Sequence, residues 1–192
     1  PKYWGIKPLK YLISMDGGGT PNTNTPEYWD GNIPWVSPKD MKFKEISTSE
    51  DYITEQGLEN SSTNLIEENS LLVVFRSGIL KRTVPIGINT IPVSINQDIK
   101  SIISKSNDFN IKYLYYFIKG NENNLLKEWS KKGVTVESLE TENVKNFHFP
   151  IPSKNDQIEI IKKLDSSESN QVKLISLCRR KIELLQEYRH SL

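Results

Sequence analysis

Apolar residues recur at helical spacing through the stretch from Pro152 to Leu192. Ile158, Ile161 and Leu164 form a first set, and Val172, Ile175, Cys178, Ile182, Leu185 and Leu192 a second. Taken seven at a time, Ile161, Glu168, Ile175, Ile182 and Arg189 fall on one row, and Leu164, Gln171, Cys178, Leu185 and Leu192 on its neighbour. From Val172 onward this is a heptad seam, with Lys173, Arg179, Lys181, Glu183 and Glu187 largely off it. No Gly or Pro follows Pro152, so nothing interrupts a helix over Asn170 to Leu192, roughly 35 Å long at about 1.5 Å per residue. Its apolar stripe has no later segment to cover it, and pairing with a second chain or subunit is the expectation. Folding back on its own domain is the alternative, favoured only by the polar seam positions Glu168, Gln171 and Arg189.

Upstream the pattern changes to short runs. Trp4 to Ile13 alternates loosely, as a strand leading into a turn of helix. Asp16-Gly17-Gly18-Gly19-Thr20-Pro21 reads as a flexible loop, Tyr28 to Asn32 as a turn, and Ile33 to Ser37 as an extended piece stopped by Pro38-Lys39-Asp40. Ser47 to Glu68 is polar with one helix-like stretch. Ser70 to Phe75 is the clearest strand, apolar on both faces and therefore buried and central. Two short strands fit between Val84 and Ile95, and another over Ile99 to Ile103. Phe109 to Lys119 has helical spacing closed by Gly120, Leu125 to Lys132 a second helix closed by Gly133, and Thr141 to Asn146 a further turn. Phe147 to Pro152 is extended, and Ser153 with Asp156 has capping-box spacing. Asp165 to Asn170 lacks apolar residues and reads as either a break between helices or an exposed turn within one. The fold class is α+β: a globular domain of short strands and few helices over about residues 1–152, then a long C-terminal coiled-coil-forming helical region, 153–192.

Charge and composition narrow the chemistry. In 192 residues, Lys+Arg 25 against Asp+Glu 24 leaves a net charge of +1, so any nucleic-acid contact must come from local clusters. With one cysteine, Cys178, and two histidines, His148 and His190, neither a disulfide framework nor a Cys/His zinc site is expected. The longest apolar run, Leu71 to Phe75, is too short to span a bilayer, and no signal-peptide pattern opens the chain, which reads as soluble and cytoplasmic. The glycines before Thr20 are followed by Pro21-Asn22, not by the Lys-Ser/Thr pair of a nucleoside-triphosphate loop. A tight turn with glycines at positive φ is the plainer expectation, although bare amides there also suit a DNA phosphate. No nucleophile adjoins either histidine, no spaced carboxylate pair suggests hydrolysis, and no cofactor fingerprint is present.

Base reading needs side chains that donate and accept in pairs. Two loop-rich regions hold such groups: Thr20, Asn22, Asn24, Ser37 and Lys39 in one, and Arg76, Ser77, Lys81, Arg82, Asn96, Gln97 and Lys100 in the other. Arg76 follows a buried strand directly, which makes its guanidinium a rigid reader.

Four stretches together resemble the specificity subunits of type I restriction–modification systems. They are Gly18-Gly19-Thr20-Pro21 with Tyr28-Trp29, Gly31 and Ile33 to Asp40; Leu71 to Leu80 with Asn96-Gln97-Asp98; Gly133, Thr135-Val136 and Ser138-Leu139 with Phe149 to Pro152, Gln157 and Ile160; and Lys181 to Leu185 with Glu187 to Arg189 and Ser191-Leu192. The family's Glu-Gln pair at the helix start is Asp156-Gln157 here, and its proline pair is reduced to Pro152-Ser153. The resemblance implies a target recognition domain that reads double-stranded DNA, followed by one spacer helix. Full subunits of the family look like two such units in tandem; this chain, with one unit and no internal repeat, reads as a half-subunit or one half of a longer chain. Two copies, or this chain and a second specificity half, would pair helices antiparallel along Ile161, Leu164, Val172, Ile175, Cys178, Ile182, Leu185 and Leu192. The resemblance further implies methyltransferase subunits and a restriction/translocase subunit as partners. S-adenosylmethionine, ATP and Mg2+ would belong to those partners, and this chain would have no cofactor and no catalysis of its own. Two other classes remain: a scaffold or oligomerisation module binding protein rather than DNA, and an enzyme using the glycine loop on a phosphorylated substrate.

Overall fold

The computed structural model describes residues 4–131 and 137–190. The chain opens with β1 (Gly5–Pro8), a 3-10 turn over Leu9–Tyr11, β2 (Ile13–Gly17), β3 (Trp29–Val36), β4 (Glu45–Ile46), β5 (Asp51–Ile53), α1 (Glu55–Glu59), β6 (Leu65–Ile66) and β7 (Leu71–Val74). A 3-10 turn over Gly78–Lys81 leads to β8 (Ile86–Asn89), β9 (Val93–Ile95), β10 (Ile99–Ser104), α2 (Ile111–Trp129), α3 (Thr141–Asn146), β11 (His148–Ile151) and α4 (Lys154–His190). The described strands form one sheet in the order β2-β10-β7-β8-β4, a second in the order β5-β3-β9-β6, and the pair β1-β11.

The α+β class expected from the pattern is the class observed, and β7 shows why. It is central in the five-stranded sheet, and all four of its residues are buried. Leu71 and Val73 enter one core with Tyr113, Leu114, Ile118, Trp129 and Phe149, whereas Leu72 and Val74 enter another with Val36, Ile66, Val93 and Ile95. Alternate side chains thus pack on helices on one face and on the four-stranded sheet on the other, the reason the run is apolar throughout.

A polar tie seats α4 on this domain. Gln157 is 1% exposed, and its amide donates to Asp108 O (3.0 Å) and Pro152 O (3.1 Å) while accepting from Asn110 N (2.9 Å). Ser153 Oγ accepts from Asp156 N at 3.2 Å, as the capping spacing predicts. Gln157→Ala removes three hydrogen bonds, one buried and two partly buried, and will lower unfolding free energy by about 1–3 kcal/mol in urea titrations.

Several expectations are corrected. Tyr28 to Asn32 is not a turn: β3 bulges so that Trp29 and Ile33 both oppose Ile53, with Asp30 at φ 58°. The residue types that suit a turn also suit a bulge. Gly120 does not end its helix. α2 continues past a kink at Asn121 (φ −126°, ψ 16°), where the Asn121 side-chain amide donates to Phe117 O at 2.8 Å. Of the two readings of Asp165 to Asn170, the break between helices falls, and the stretch lies within one helix. α4 is one helix of 37 residues, about 55 Å long, longer than the 35 Å predicted because it starts at Lys154. The Gly133 to Val136 motif residues and Leu192 lie outside the described residues.

Candidate nucleic-acid interface

The two regions that the sequence separates meet at one edge of the domain. β2, β3, β7 and β9 end there and β10 begins there, with Gly17 opposite Lys100, Val74 opposite Ile99 and Val36 opposite Ile95. Gly19 N donates to Ile95 O (3.0 Å), Asn96 N to Val36 O (2.9 Å), and Trp35 Nε1 to Gly19 O (2.9 Å). Thr20 Oγ1 donates to Gln97 Oε1, joining the glycine loop to the turn after β9. A Cβ on Gly18 would overlap the carbonyl oxygens of Ile95 and Asn96, and one on Gly19 the Ser62 hydroxyl. Close approach, not a positive φ, is what demands glycine at both positions. Gly19's amide is already bonded and is not one of the bare amides of this loop.

Arg76 is held rigidly. Its backbone N–H and that of Phe75 donate to Asp98 O at 3.2 and 2.7 Å, and Leu139 N donates to Phe75 O at 2.8 Å. Asp98 N in turn donates to Asn96 Oδ1 at 3.0 Å, and Arg76 Nε donates to Asp98 Oδ1 at 2.6 Å. Asp98 takes one edge of the guanidinium and leaves the rest of its donor fork for another partner. Thr20, Arg76 and Gln97 are exposed on this platform. An Arg fork matches guanine or a phosphate, and a Gln amide matches adenine.

The other sequence candidates sit differently. Asn96 and Ser37 are 6% and 7% exposed; Asn96 builds the turn and Ser37 Oγ donates to Asp40 Oδ2 at 3.0 Å. Ser77 Oγ accepts from Ile79 N and caps the 3-10 turn. Lys100 is half-buried: burial, then the nearby Lys145 charge, pushes its pKa down, and Nζ donates to Thr141 Oγ1 (2.8 Å) over the Phe75 ring. Lys39 is paired to Asp51 (2.9 Å) and Glu50 (3.3 Å), whose hydrogen bonds raise its pKa. Asn22 Oδ1 accepts from Asn24 N at 3.0 Å in a local turn. Lys81 and Arg82 are exposed at the end of the 3-10 turn.

Along α4, Ile161 packs at 8% exposure into its own domain's core and is not on an open seam. Leu164 is 39% exposed, and Val172, Ile175, Cys178, Ile182 and Leu185 are exposed. Every residue from Ser169 to Arg189 is exposed, so this stretch, about 30 Å long, does not fold back on the domain. The sequence reading missed a second apolar stripe, Leu174, Leu177, Leu184 and Tyr188, which lies about 110° round the helix from the first. Its signal was the same three-and-four spacing, interrupted by Lys181.

Also missed was a polar cluster where α4 leaves the domain. Lys44 Nζ donates to Tyr116 OH (2.6 Å), Asp165 Oδ1 (2.9 Å) and Glu168 Oε2 (2.5 Å), and Lys112 Nζ pairs with Asp165 Oδ2 (2.8 Å). Burial disfavours the charge on Lys44, but hydrogen bonds to Glu168, Tyr116 and Asp165 outweigh it and hold the ammonium well above the ordinary lysine range. Burial likewise works against the Asp165 carboxylate, and hydrogen bonds from Lys112, Tyr116 and Lys44 hold it well below the usual range. Burial, then the Asp165 carboxylate, raises Tyr116, which stays a phenol and donates to Asp165.

Among the described residues no helix is long and apolar enough to cross a membrane, and no group of three or more His, Cys, Asp or Glu side chains is placed to hold a metal ion. The α+β domain followed by a long C-terminal helix is the architecture that the resemblance implied, and comparison with known proteins supports that family. The chain is 38% identical over 182 residues to the Type I restriction enzyme EcoR124I/EcoR124II specificity subunit of Escherichia coli, covering 94% of this chain and 45% of that subunit. It is 34% identical over 167 residues to the Type I restriction enzyme MjaIX specificity subunit of Methanocaldococcus jannaschii, covering 83% of this chain and 37% of that one. The chain thus spans less than half the length of these curated relatives. The crystal structure of the HsdS subunit from Thermoanaerobacter tengcongensis superposes with a TM-score of 0.68 at 14% identity, over 91% of this chain and 39% of that one, a likeness of fold. A family model for the type I restriction modification DNA specificity domain matches residues 1–185, and the chain belongs to that family.

Proposed function

We propose that this chain is a sequence-reading unit of a type I restriction–modification system, without catalysis or cofactor of its own. The platform of Thr20, Arg76 and Gln97 meets one half-site of double-stranded DNA, and the free part of α4 pairs antiparallel with a second copy or a second specificity half. The observation that carries this reading is the physical continuity between the two. On α4 the row of Gln157, Ile161 and Glu168 faces the domain, and the same row continues as the open seam of Ile175 and Ile182. A partner helix takes over the face where the domain stops covering it. A two-stranded coil covers one stripe, so the second, with Leu174, Leu177 and Leu184, is left for helices of methyltransferase subunits; S-adenosylmethionine, ATP and Mg2+ act in those and in the restriction/translocase subunit.

A twofold pair carries two identical readers, so selection from random duplexes with the methyltransferase complex present will return an inverted repeat. The overlap of about 30 Å is close to one turn of DNA, which puts both readers on one face of the duplex. Binding will fall steeply with added salt through counterion release. Equal affinity for scrambled duplexes would remove the DNA reading and leave a protein-binding scaffold in its place.

A further inference from the structure

We propose that Lys44, Lys112, Tyr116, Asp165 and Glu168 form a latch that fixes the angle between the reading domain and α4, and through it the gap between half-sites. The second part rests on the DNA-reading function proposed above. Three elements meet at the latch. Lys44 comes from the lead-in to β4, where its carbonyl accepts from Ile88 N at 2.7 Å. Lys112 and Tyr116 lie one turn apart on α2, and Asp165 and Glu168 one turn apart on α4. From Ser169 to Arg189 every residue is exposed, and among the described residues the latch holds the outermost bonds between α4 and the domain that the structure describes.

Its position gives it mechanical advantage. Gln157 anchors the base of α4, the latch lies about 14 Å further along, and Arg189 about 48 Å from the base. A slip of about 1 Å at the latch becomes about 3 Å at the far end, close to the rise of one base pair, about 3.4 Å. Apolar packing at Ile161 lies nearer the pivot and resists such a swing less effectively. A lysine shared among a phenol and two carboxylates has directional bonds on several sides, whereas an apolar contact would allow sliding. The sequence carries no motif for this, because the five residues come from three separate stretches.

The test uses the full chain with Lys44→Met and Glu168→Gln combined, so that no charge is left alone, and Tyr116→Phe as a milder change. In a Cys178→Ser background, spin labels at Glu59→Cys and Lys173→Cys, diluted with unlabelled chain, report the domain-to-rod distance without DNA. The parent will give a narrow distribution and the latch variant a broad one, with melting temperatures within a few degrees of each other. An equally narrow distribution in the variant overturns the latch. With DNA, the parent will prefer one gap length over its neighbours by about ten-fold or more, and the variant by a few-fold at most, with the half-site sequence unchanged. Unaltered gap preference beside a broadened distance overturns the link to spacing. A broadened distance with no gap preference even in the parent removes the DNA-reading function and leaves the latch standing.

Discussion

Ile175→Asp combined with Ile182→Asp will leave the domain folded and abolish pairing. Both side chains are more than half exposed in the single chain, at 52% and 54%, so the substitutions cost the isolated fold almost nothing. Across a closed helical seam each carboxylate would meet apolar neighbours on the partner with no counter-charge, which is strongly unfavourable. Sedimentation should show a single chain where the parent shows a pair. The consequence for DNA is larger than for pairing itself. Two linked readers gain from effective concentration, and separating them will weaken binding to the gapped site by about 10²–10⁴-fold while each half-site is still read. Leu174→Asp with Leu177→Asp, on the other stripe, is the control: it will leave pairing intact and weaken association with methyltransferase subunits. A pair that survives the double aspartate change, or a control that breaks it, would assign the seams the other way round.

What the sequence makes legible here follows from periodicity and from local chemistry. β7 is visible because four consecutive apolar residues need cover on both faces, and α4 because its seam persists through uninterrupted helix formers. The Tyr28 to Asn32 bulge and the Asn121 kink are invisible in kind, since the same residues serve turns and stops, and only pairing partners such as Ile53 decide between them. The site was legible as a list of residue types but not as a place. Thr20 and Gln97 are far apart in sequence and meet where the glycine loop bonds to the end of β9, which pairs parallel with β3. Lys39, Asn96, Ser37 and Lys100 look in sequence like Arg76 or Gln97, yet their polar atoms are committed within the protein, to carboxylates, turn amides and a hydroxyl. Glu168 reads as a flaw in the heptad, and it is the point where the helix grips Lys44. Such assignments depend on contacts between distant segments, which no local window of sequence contains.

Arg76 is the residue whose replacement should do most to the reading itself, and a pair of substitutions separates its two roles. Its guanidinium is 57% exposed by side chain, so stability is not at stake, and its backbone is fixed by Asp98 whatever the side chain. Arg76→Lys keeps a charge at the platform but loses the planar fork, so it will hold much of the non-specific affinity and relax the choice of base. Arg76→Ala loses both, and it frees the Asp98 carboxylate to face the DNA backbone, adding repulsion. A good bidentate contact gives about 1–3 kcal/mol of discrimination, and a twofold pair presents it twice, so the cognate-to-scrambled ratio should fall by about 2–6 kcal/mol. That corresponds to roughly thirty-fold at the least, measured as competition between duplexes at one salt concentration. If Arg76 instead meets a phosphate, Arg76→Ala will reduce affinity for all duplexes alike and lower the slope of log affinity against log salt by about one per half-site. An unchanged ratio and an unchanged slope in both variants would show that the platform's cation does not touch DNA, and would move the search for the reader to Lys81 and Arg82 on the neighbouring turn.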